Sequence, residues 1–365
     1  MISNIKPLLN ADFNFIGDHA FLTPLKDFHS GIEDVNNSVE IIFCGSHEWA
    51  RNVAITLLNL QLPFINTQLT ELLFLDEAHS SEIIPRISGN GSKIAIIISQ
   101  SLKGIKHAFD AFQFMEKPFS VSLCQKEIGH NESIDQTLLD LRAPWLQHLA
   151  LIGSQAQFTN ANFLDAHQKP FLSTYRLGVV RKNIGKVEPE LRMSELVGLD
   201  LTVLKSSEVQ SESHTSSVGF TMEELCQLAY YTGRSEQNQV FSIHNCSESP
   251  SIILQDALAT LIWYFVYGLD MRGMTYPPDL RNMVTYVVEG SIYSETLTFY
   301  KDDLNQKWWL KSPFPKKKLT KSNPLIACDY EDYSTAVNEQ MLTERLEKAL
   351  ERHENSEDIL DPQTV

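Results

Sequence analysis

The chain has 365 residues, of which 43% are hydrophobic and 21% are charged. At about 150 residues per domain, this length allows one large domain or two small ones. The composition excludes an intrinsically disordered protein. The net charge of −16, from 46 acidic and 30 basic residues, argues against nucleic acid as a partner, because a phosphate backbone requires a basic face.

Neither a membrane segment nor a metal-binding cysteine motif is evident. No apolar run reaches the roughly 18 residues that span a bilayer, and residues 1–10 lack the pattern of a signal peptide. The five cysteines are widely spaced and form no CxxC pair, which excludes a zinc knuckle or a redox motif. We therefore expect no membrane partner, and reduced thiols in a cytoplasmic protein.

Apolar, β-branched runs alternate with helical patterns along most of the chain. Such alternation predicts a parallel sheet with helices on both faces. Thr221 and Glu224 form a capping box at the start of one predicted helix, which ends at Gly233. Ser249, followed by Pro250, is the predicted cap of the next helix. The predicted strands cover residues 39–44, 93–98, 119–123, 149–153, 196–201 and 239–245.

The pattern changes after residue 280. Short strands are predicted at 283–288 and 297–300, followed by Trp308 and Trp309 and by a lysine run at 316–318. We expect residues 281–354 to form a C-terminal extension packed on the main sheet, and residues 355–365 to form a flexible tail.

Three short motifs resemble known sites but lack the context those sites require. The DEAH string at residues 76–79 has no phosphate-binding loop to accompany it anywhere in the chain. The GDH string at 17–19 and the DAH string at 165–167 resemble metal motifs, yet neither follows a predicted strand end. The eleven histidines include no i, i+4 pair, which is the simplest route to a metal site. We interpret all three strings as chance matches.

Ordered blocks between Phe171 and Tyr333 resemble the arginase family (ureohydrolases), in particular a divergent formimidoylglutamase-like branch. Before Phe171 the resemblance depends on strand order alone. The blocks are YRLG (175–178), VRKNI (180–184), VEP (187–189), GLDLT (198–202), GFT (219–221), IWYF (262–265), WW (308–309) and CDYEDY (328–333).

The resemblance implies an α/β protein with a three-layer α/β/α sandwich around a mostly parallel central sheet. Residues 1–280 would form the arginase-like α/β domain, with 1–38 as an N-terminal extension. Active members of the family hold two manganese ions at the carboxyl ends of the strands, and a metal-bridging hydroxide attacks a guanidine or formimino carbon. Such a site needs carboxylate and imidazole ligands.

Carried over in order, the family's ligand motifs are mostly lost. The histidine of G-G-D-H corresponds to Gln100. The D-A-H-x-D motif corresponds to residues 123–127, with Gln125 and Glu127 at two of the ligand positions. The S-x-D-x-D motif supplies the positions of Asp200 and Thr202, and E-x-N-P supplies that of Ile243. The resemblance thus implies no catalytic residue and six vestigial metal-site positions: Gln100, Gln125, Glu127, Asp200, Thr202 and Ile243.

Two carboxylates survive in that set, Glu127 and Asp200, and they could hold a weakly bound magnesium or calcium ion. They cannot hold two manganese ions and also generate a hydroxide. If the two acids lie close together without a metal, like-charge repulsion predicts that Asp200→Ala leaves stability unchanged or raises it. We expect all six positions to converge at one end of the sheet.

Two hypotheses follow. In the first, the chain is a catalytically inactive arginase-fold protein with no cofactor, which binds an unknown small molecule or protein or has a metal-free role. In the second, it is a manganese-dependent hydrolase of linear amidine or guanidine carbon–nitrogen bonds with a rearranged site. Family analogy suggests a homo-oligomer under either hypothesis. Fold resemblance alone does not choose between them.

Overall fold

The fold is seen in a computed structural model. It describes residues 41–45, 47–60, 72–75, 80–87, 93–130, 135, 145–166, 171–209, 216–272, 278–289, 296–313 and 325–355.

An eight-stranded parallel sheet forms the centre of the molecule, in the order β2-β1-β3-β8-β7-β4-β5-β6. The six strands expected from the sequence are present, within three residues at each end. Two strands, β2 and β6, were not predicted, and they form the two outer edges of the sheet. The strands are β1 (Ile41–Gly45), β2 (Leu72–Leu75), β3 (Ile94–Ile98), β4 (Phe119–Cys124), β5 (Leu146–Ser154), β6 (Leu172–Arg176), β7 (Leu196–Asp200) and β8 (Val240–His244).

Helices cover both faces of this sheet, as the alternating pattern predicted. One buried cluster lies between the sheet and α1, α8 and α9, and a second lies between the sheet and α2 and α3. The helices along this part of the chain are α1 (Glu48–Asn59), α2 (Ser80–Ile87), α3 (Lys103–Phe114), α4 (Ala161–Ala166), α5 (Leu177–Lys182), α6 (Glu188–Arg192), α7 (Ser206–Val209), α8 (Met222–Gly233) and α9 (Ile252–Asp270).

Helices α8 and α9 pack closely against each other. The capping box of Thr221 and Glu224 is present at the start of α8. The prediction for α9 was wrong by two residues, because the Ser251 hydroxyl, and not Ser249, accepts the hydrogen bond from the amide of Leu254. By length and composition α9 could cross a membrane, but about half of it is buried within the fold.

A second, four-stranded antiparallel sheet follows, in the order β12-β11-β10-β9. Helices α10 (Tyr330–Asn338) and α11 (Glu344–Asn355) follow these strands, and residues of α10 and α11 share a buried cluster with them. The sequence predicted β9 and β10 but not β11 and β12. The four strands are β9 (Val284–Val288), β10 (Leu297–Lys301), β11 (Trp308–Lys311) and β12 (Leu325–Cys328).

Two buried cations connect this C-terminal part to the main sheet. Arg192 of α6 stacks on the Trp309 ring at 4.4 Å and donates to the carbonyl of Cys328 at 2.8 Å. Lys307 pairs with Glu236 at 2.5 Å, and both side chains are almost fully buried. Both contacts accord with an extension packed on the main sheet, although the domain boundaries given above remain a prediction.

The carboxyl of Glu195, just before β7, gives the fold a pH dependence. Burial raises the pKa of Glu195 to about 7, against the lowering effect of hydrogen bonds from the backbone amides of Ser120 (2.8 Å) and of Glu195 itself. Because the folded pKa lies above the unfolded value, this group's stabilising contribution is present below about pH 4.5 and is lost as the pH rises through about 7.

We therefore expect Glu195→Gln to stabilise the protein at about pH 8 and to leave it unchanged at about pH 4.5. The full pKa shift corresponds to about 3 kcal/mol, and partial exposure of the side chain reduces the expected gain to about 1–2 kcal/mol. Urea unfolding of parent and variant at both pH values measures the difference. Equal stability differences at the two pH values would contradict the assignment.

Candidate functional site at the carboxyl ends of the strands

Four neighbouring strands bring the six predicted site positions to one edge of the sheet. In the order β3-β8-β7-β4, Ile98 pairs with Ile243, Ile243 with Leu199, and Leu199 with Cys124. The carboxyl ends of these strands are therefore level and adjacent. Gln100, Gln125 and Glu127 follow β3 and β4, Ile243 lies in β8, and Asp200 and Thr202 end or follow β7. Ligands of parallel α/β sheets bind at this edge.

Asp200 has both carboxylate oxygens occupied by protein donors. One oxygen accepts the backbone amide of Thr202 at 2.7 Å and so caps the short 3-10 turn Leu201–Val203. The other accepts the side-chain amide of Asn245 at 2.9 Å. Asn245 adopts a positive φ of 56°, a conformation that asparagine tolerates better than most residues. The carboxylate thus connects the ends of β7 and β8 through these two hydrogen bonds.

The two glutamines make structural hydrogen bonds to backbone carbonyls. Gln100 donates to the carbonyl of Glu248 at 3.2 Å, which ties the end of β3 to the segment after β8. Gln125 is buried and donates to the carbonyl of Glu127 at 2.8 Å. Gln100 therefore joins two segments at this edge, and Gln125 stabilises the turn in which it lies.

The remaining three positions do not combine into a ligand set. The carboxylate of Glu127 is 44% exposed and lies 3.5 Å from the ammonium group of Lys126. Ile243 is fully buried in the core cluster beneath α9. Thr202 contributes its backbone amide to Asp200, as described above. Glu127 thus forms an ion pair with the neighbouring Lys126.

His244 is a buried polar residue at this edge that the sequence analysis did not single out. It is the last residue of β8 and pairs with Asp200 in register. Neither ring nitrogen has a hydrogen-bond partner among the described residues. Burial lowers the pKa of His244, and the nearby Asp200 partly opposes this effect, so the imidazole is neutral at neutral pH. In the sequence, the signal that could have identified His244 was its position at the end of a predicted strand.

These residues do not fit a pair of manganese ions. Within the described part of the chain there is no group of three or more histidine, cysteine, aspartate or glutamate side chains that could hold a metal. Manganese prefers oxygen and imidazole ligands, and the carboxylate at the centre of this edge is already hydrogen-bonded on both oxygens. No manganese-dependent step can be derived from these side chains.

The other candidate strings lie mostly outside the described residues. Residues 17–19, 76–79 and His167 are not among the described residues. Asp165 lies in α4, between β5 and β6, and its side chain is not described.

Solved structures supply the comparison that decides the fold. No protein-family model matches the chain, and no curated protein sequence matches it. The structure of formimidoylglutamase from Bacillus subtilis is similar with a TM-score of 0.54, at 12% identity over 73% of this chain and 95% of that one. The chain has the arginase fold. The resemblance of the residue blocks is thereby confirmed at the level of architecture.

Two further structures agree with this arginase fold. A formiminoglutamase from Trypanosoma cruzi, solved with Mn²⁺, is similar with a TM-score of 0.53 at 14% identity, over 67% of this chain and 96% of that one. An arginase superfamily protein from the same organism has a TM-score of 0.50 at 14% identity, over 67% of this chain and 97% of that one. At such low identity the likeness establishes the fold alone.

The hydrogen bonds of Asp200 reverse the expectation for its removal. The prediction of unchanged or raised stability assumed an unpartnered acid repelled by Glu127, and this assumption is wrong. Asp200→Ala leaves the Thr202 amide and the Asn245 side chain without their acceptor, so we expect a loss of about 1–3 kcal/mol in the free energy of unfolding. Denaturant unfolding measures this loss. The control is Asp110→Ala at an exposed position of α3, which should change the free energy of unfolding by no more than about 0.5 kcal/mol.

Proposed function

We propose that this protein is a cytoplasmic arginase-fold protein that is inactive as a manganese-dependent ureohydrolase and acts as a binding or interaction protein. The observation that carries the proposal is the double hydrogen bonding of Asp200 by Thr202 and Asn245. Charge-assisted hydrogen bonds from two protein donors already stabilise this carboxylate. The edge then presents amides and hydroxyls, which recognise polar ligands through hydrogen bonds.

Reduced thiols support the cytoplasmic part of the proposal. All five cysteines are buried, and none forms a disulfide. Burial raises the pKa of Cys226 and Cys328 to about 12, so these thiols stay protonated and unreactive. The binding partner is proposed as a small polar molecule or a protein, and an oligomer remains an inference from family analogy.

A second function is favoured by one observation, the unpartnered imidazole of His244 beside Asp200. A neutral histidine is a common metal ligand, and several structures with this fold are those of formiminoglutamases that hold Mn²⁺. On this alternative, the protein hydrolyses a linear amidine such as formimidoylglutamate through a rearranged site. To bind Mn²⁺, Asp200 would replace one of its two hydrogen bonds with a bond to the metal.

A turnover assay separates the two functions. Purified protein is incubated with formimidoylglutamate, agmatine or arginine, with and without added Mn²⁺, and the released formamide or urea is measured. The proposal predicts no manganese-dependent product above the buffer blank. Turnover that rises with Mn²⁺ and disappears in His244→Ala would establish the alternative, and Asp110→Ala serves as the matched surface control.

A further inference from the structure

A second polar cluster lies away from the carboxyl-end site, between β5, β6 and α6. The Ser173 hydroxyl lies 3.1 Å from Nε2 of His148, and Nδ1 of His148 lies 3.4 Å from a carboxylate oxygen of Glu190. The other oxygen of Glu190 accepts the hydroxyl of Tyr175 at 2.6 Å. Ser173, His148 and Glu190 are each at least 95% buried. A hydroxyl, an imidazole and a carboxylate thus lie next to one another in that order.

At neutral pH the His148 ring is neutral and the Glu190 carboxyl is ionised. Burial, together with Arg352 and Arg345, lowers the pKa of His148 to about 3 despite the opposing effect of Glu190. Burial acts to raise the pKa of Glu190, but His148, both guanidinium groups and the Tyr175 hydrogen bond outweigh it. Glu190 lies 3.4 Å from Nδ1 of His148, and Nε2 of the neutral ring can accept the hydrogen bond of the Ser173 hydroxyl.

A cavity of about 320 Å³ lies beside this cluster. Ser173 and Tyr175 line it on the sheet side, and Arg345 of α11 lines it on the opposite side. Arg345 is anchored by Asp332 and by the carbonyl of Ala327. The wall carries cations and carboxylates together, including Lys186, Glu331 and Lys348, so it suits a small polar acyl compound.

We propose that Ser173, His148 and Glu190 form a serine hydrolase site for small polar carboxylic esters. The Ser173 oxygen bonds to the ester carbonyl carbon while its proton passes to Nε2 of His148. The carbon–alcohol bond then breaks, and the alcohol leaves with that proton. Water hydrolyses the acyl-serine, which yields the carboxylic acid and free Ser173. Glu190 and Tyr175 are positioning residues for the base.

The test uses the full chain and a fluorophosphonate probe, which reacts with an activated serine and loses fluoride. We expect one probe per chain, located by peptide mass spectrometry on Ser173, and no labelling in Ser173→Ala. Thr174→Ala, the neighbouring cavity residue, is the matched control and should label at the parent rate. His148→Gln should label at least about 100-fold more slowly.

Mapping on the parent protein keeps the proposal falsifiable even if a variant fails to fold. No labelling of the parent, or labelling at another residue, would overturn it. For Glu190→Gln, a lower maximal labelling rate at an unchanged half-saturating probe concentration indicates positioning, and a raised half-saturating concentration alone would contradict that role. Chelators should not alter the labelling, so this result is independent of the manganese assay.

Discussion

Replacing Arg192 with alanine is expected to lower the free energy of unfolding by about 3–5 kcal/mol. The guanidinium is 1% exposed and holds three groups at once: the Trp309 ring at 4.4 Å, the Cys328 carbonyl at 2.8 Å and the Glu188 carboxylate at 3.1 Å. Its removal leaves Glu188 without this cation and opens a space beneath β11. Denaturant unfolding monitored by circular dichroism measures the loss.

Two further variants serve as comparisons for the stability loss of Arg192→Ala. Arg192→Lys keeps the charge but loses the planar stacking on Trp309, so its loss should be intermediate. Arg181→Ala removes an ion pair with Glu224 at 2.8 Å that is partly exposed, and it should cost no more than about 1 kcal/mol. A loss for Arg192→Ala as small as that of Arg181→Ala would contradict its role as the contact that holds the C-terminal sheet.

Gly233→Ala is the second large effect, with an expected loss of about 2–4 kcal/mol. A Cβ at Gly233 would overlap the backbone carbonyl of Phe265, and a Cβ at Gly268 would overlap the carbonyl of Tyr230. The two glycines therefore let α8 and α9 approach backbone to backbone. Since backbone atoms cannot rotate away, the helices would have to separate, and thermal or denaturant unfolding measures the cost.

Gly178 in α5 is the matched control for that substitution. A Cβ there meets no atom within 4 Å, so Gly178→Ala should stabilise the protein by roughly 0.5–1 kcal/mol through the helix preference of alanine. We expect Gly233→Ala to lower the free energy of unfolding and Gly178→Ala to raise it. A gain at both positions would mean that α8 and α9 are not in such close contact.

The sequence predicted the central strands well and the outer strands poorly. β3 is a fully buried aliphatic run, and β7 and β8 are buried and mostly apolar. Such runs are the clearest strand signal. β6 lies at the edge of the sheet and exposes Thr174 and Arg176, so it lacks that signal. β2 has only four residues. Short or half-exposed edge strands take their conformation from the neighbouring strand more than from their own residues.

The position of the carboxyl-end site could be predicted, but its chemistry could not. Parallel topology alone places Gln100, Asp200 and Ile243 on adjacent strands. The hydrogen bond from Asn245 to Asp200 joins residues 45 positions apart and requires a positive φ at Asn245. No local pattern indicates such a contact, and for that reason the sequence suggested an unpartnered acid.

The Ser173–His148–Glu190 cluster was missed for a related reason. Its members come from β6, β5 and α6, and no short motif connects them. Only pairing of β5 with β6 brings His148 near Ser173, and α6 then supplies Glu190 from outside the sheet. β6 was itself not predicted, so the sequence offered no means of placing the serine.

Manganese content is the measurement that tests the central claim most directly. The protein is purified with and without Mn²⁺ in excess, dialysed, and analysed for metal by mass spectrometry against protein concentration. We expect far less than one manganese per chain under both conditions, because Asp200 is held by Thr202 and Asn245 and the described residues contain no group of three or more potential metal ligands. About two manganese ions per chain would contradict it.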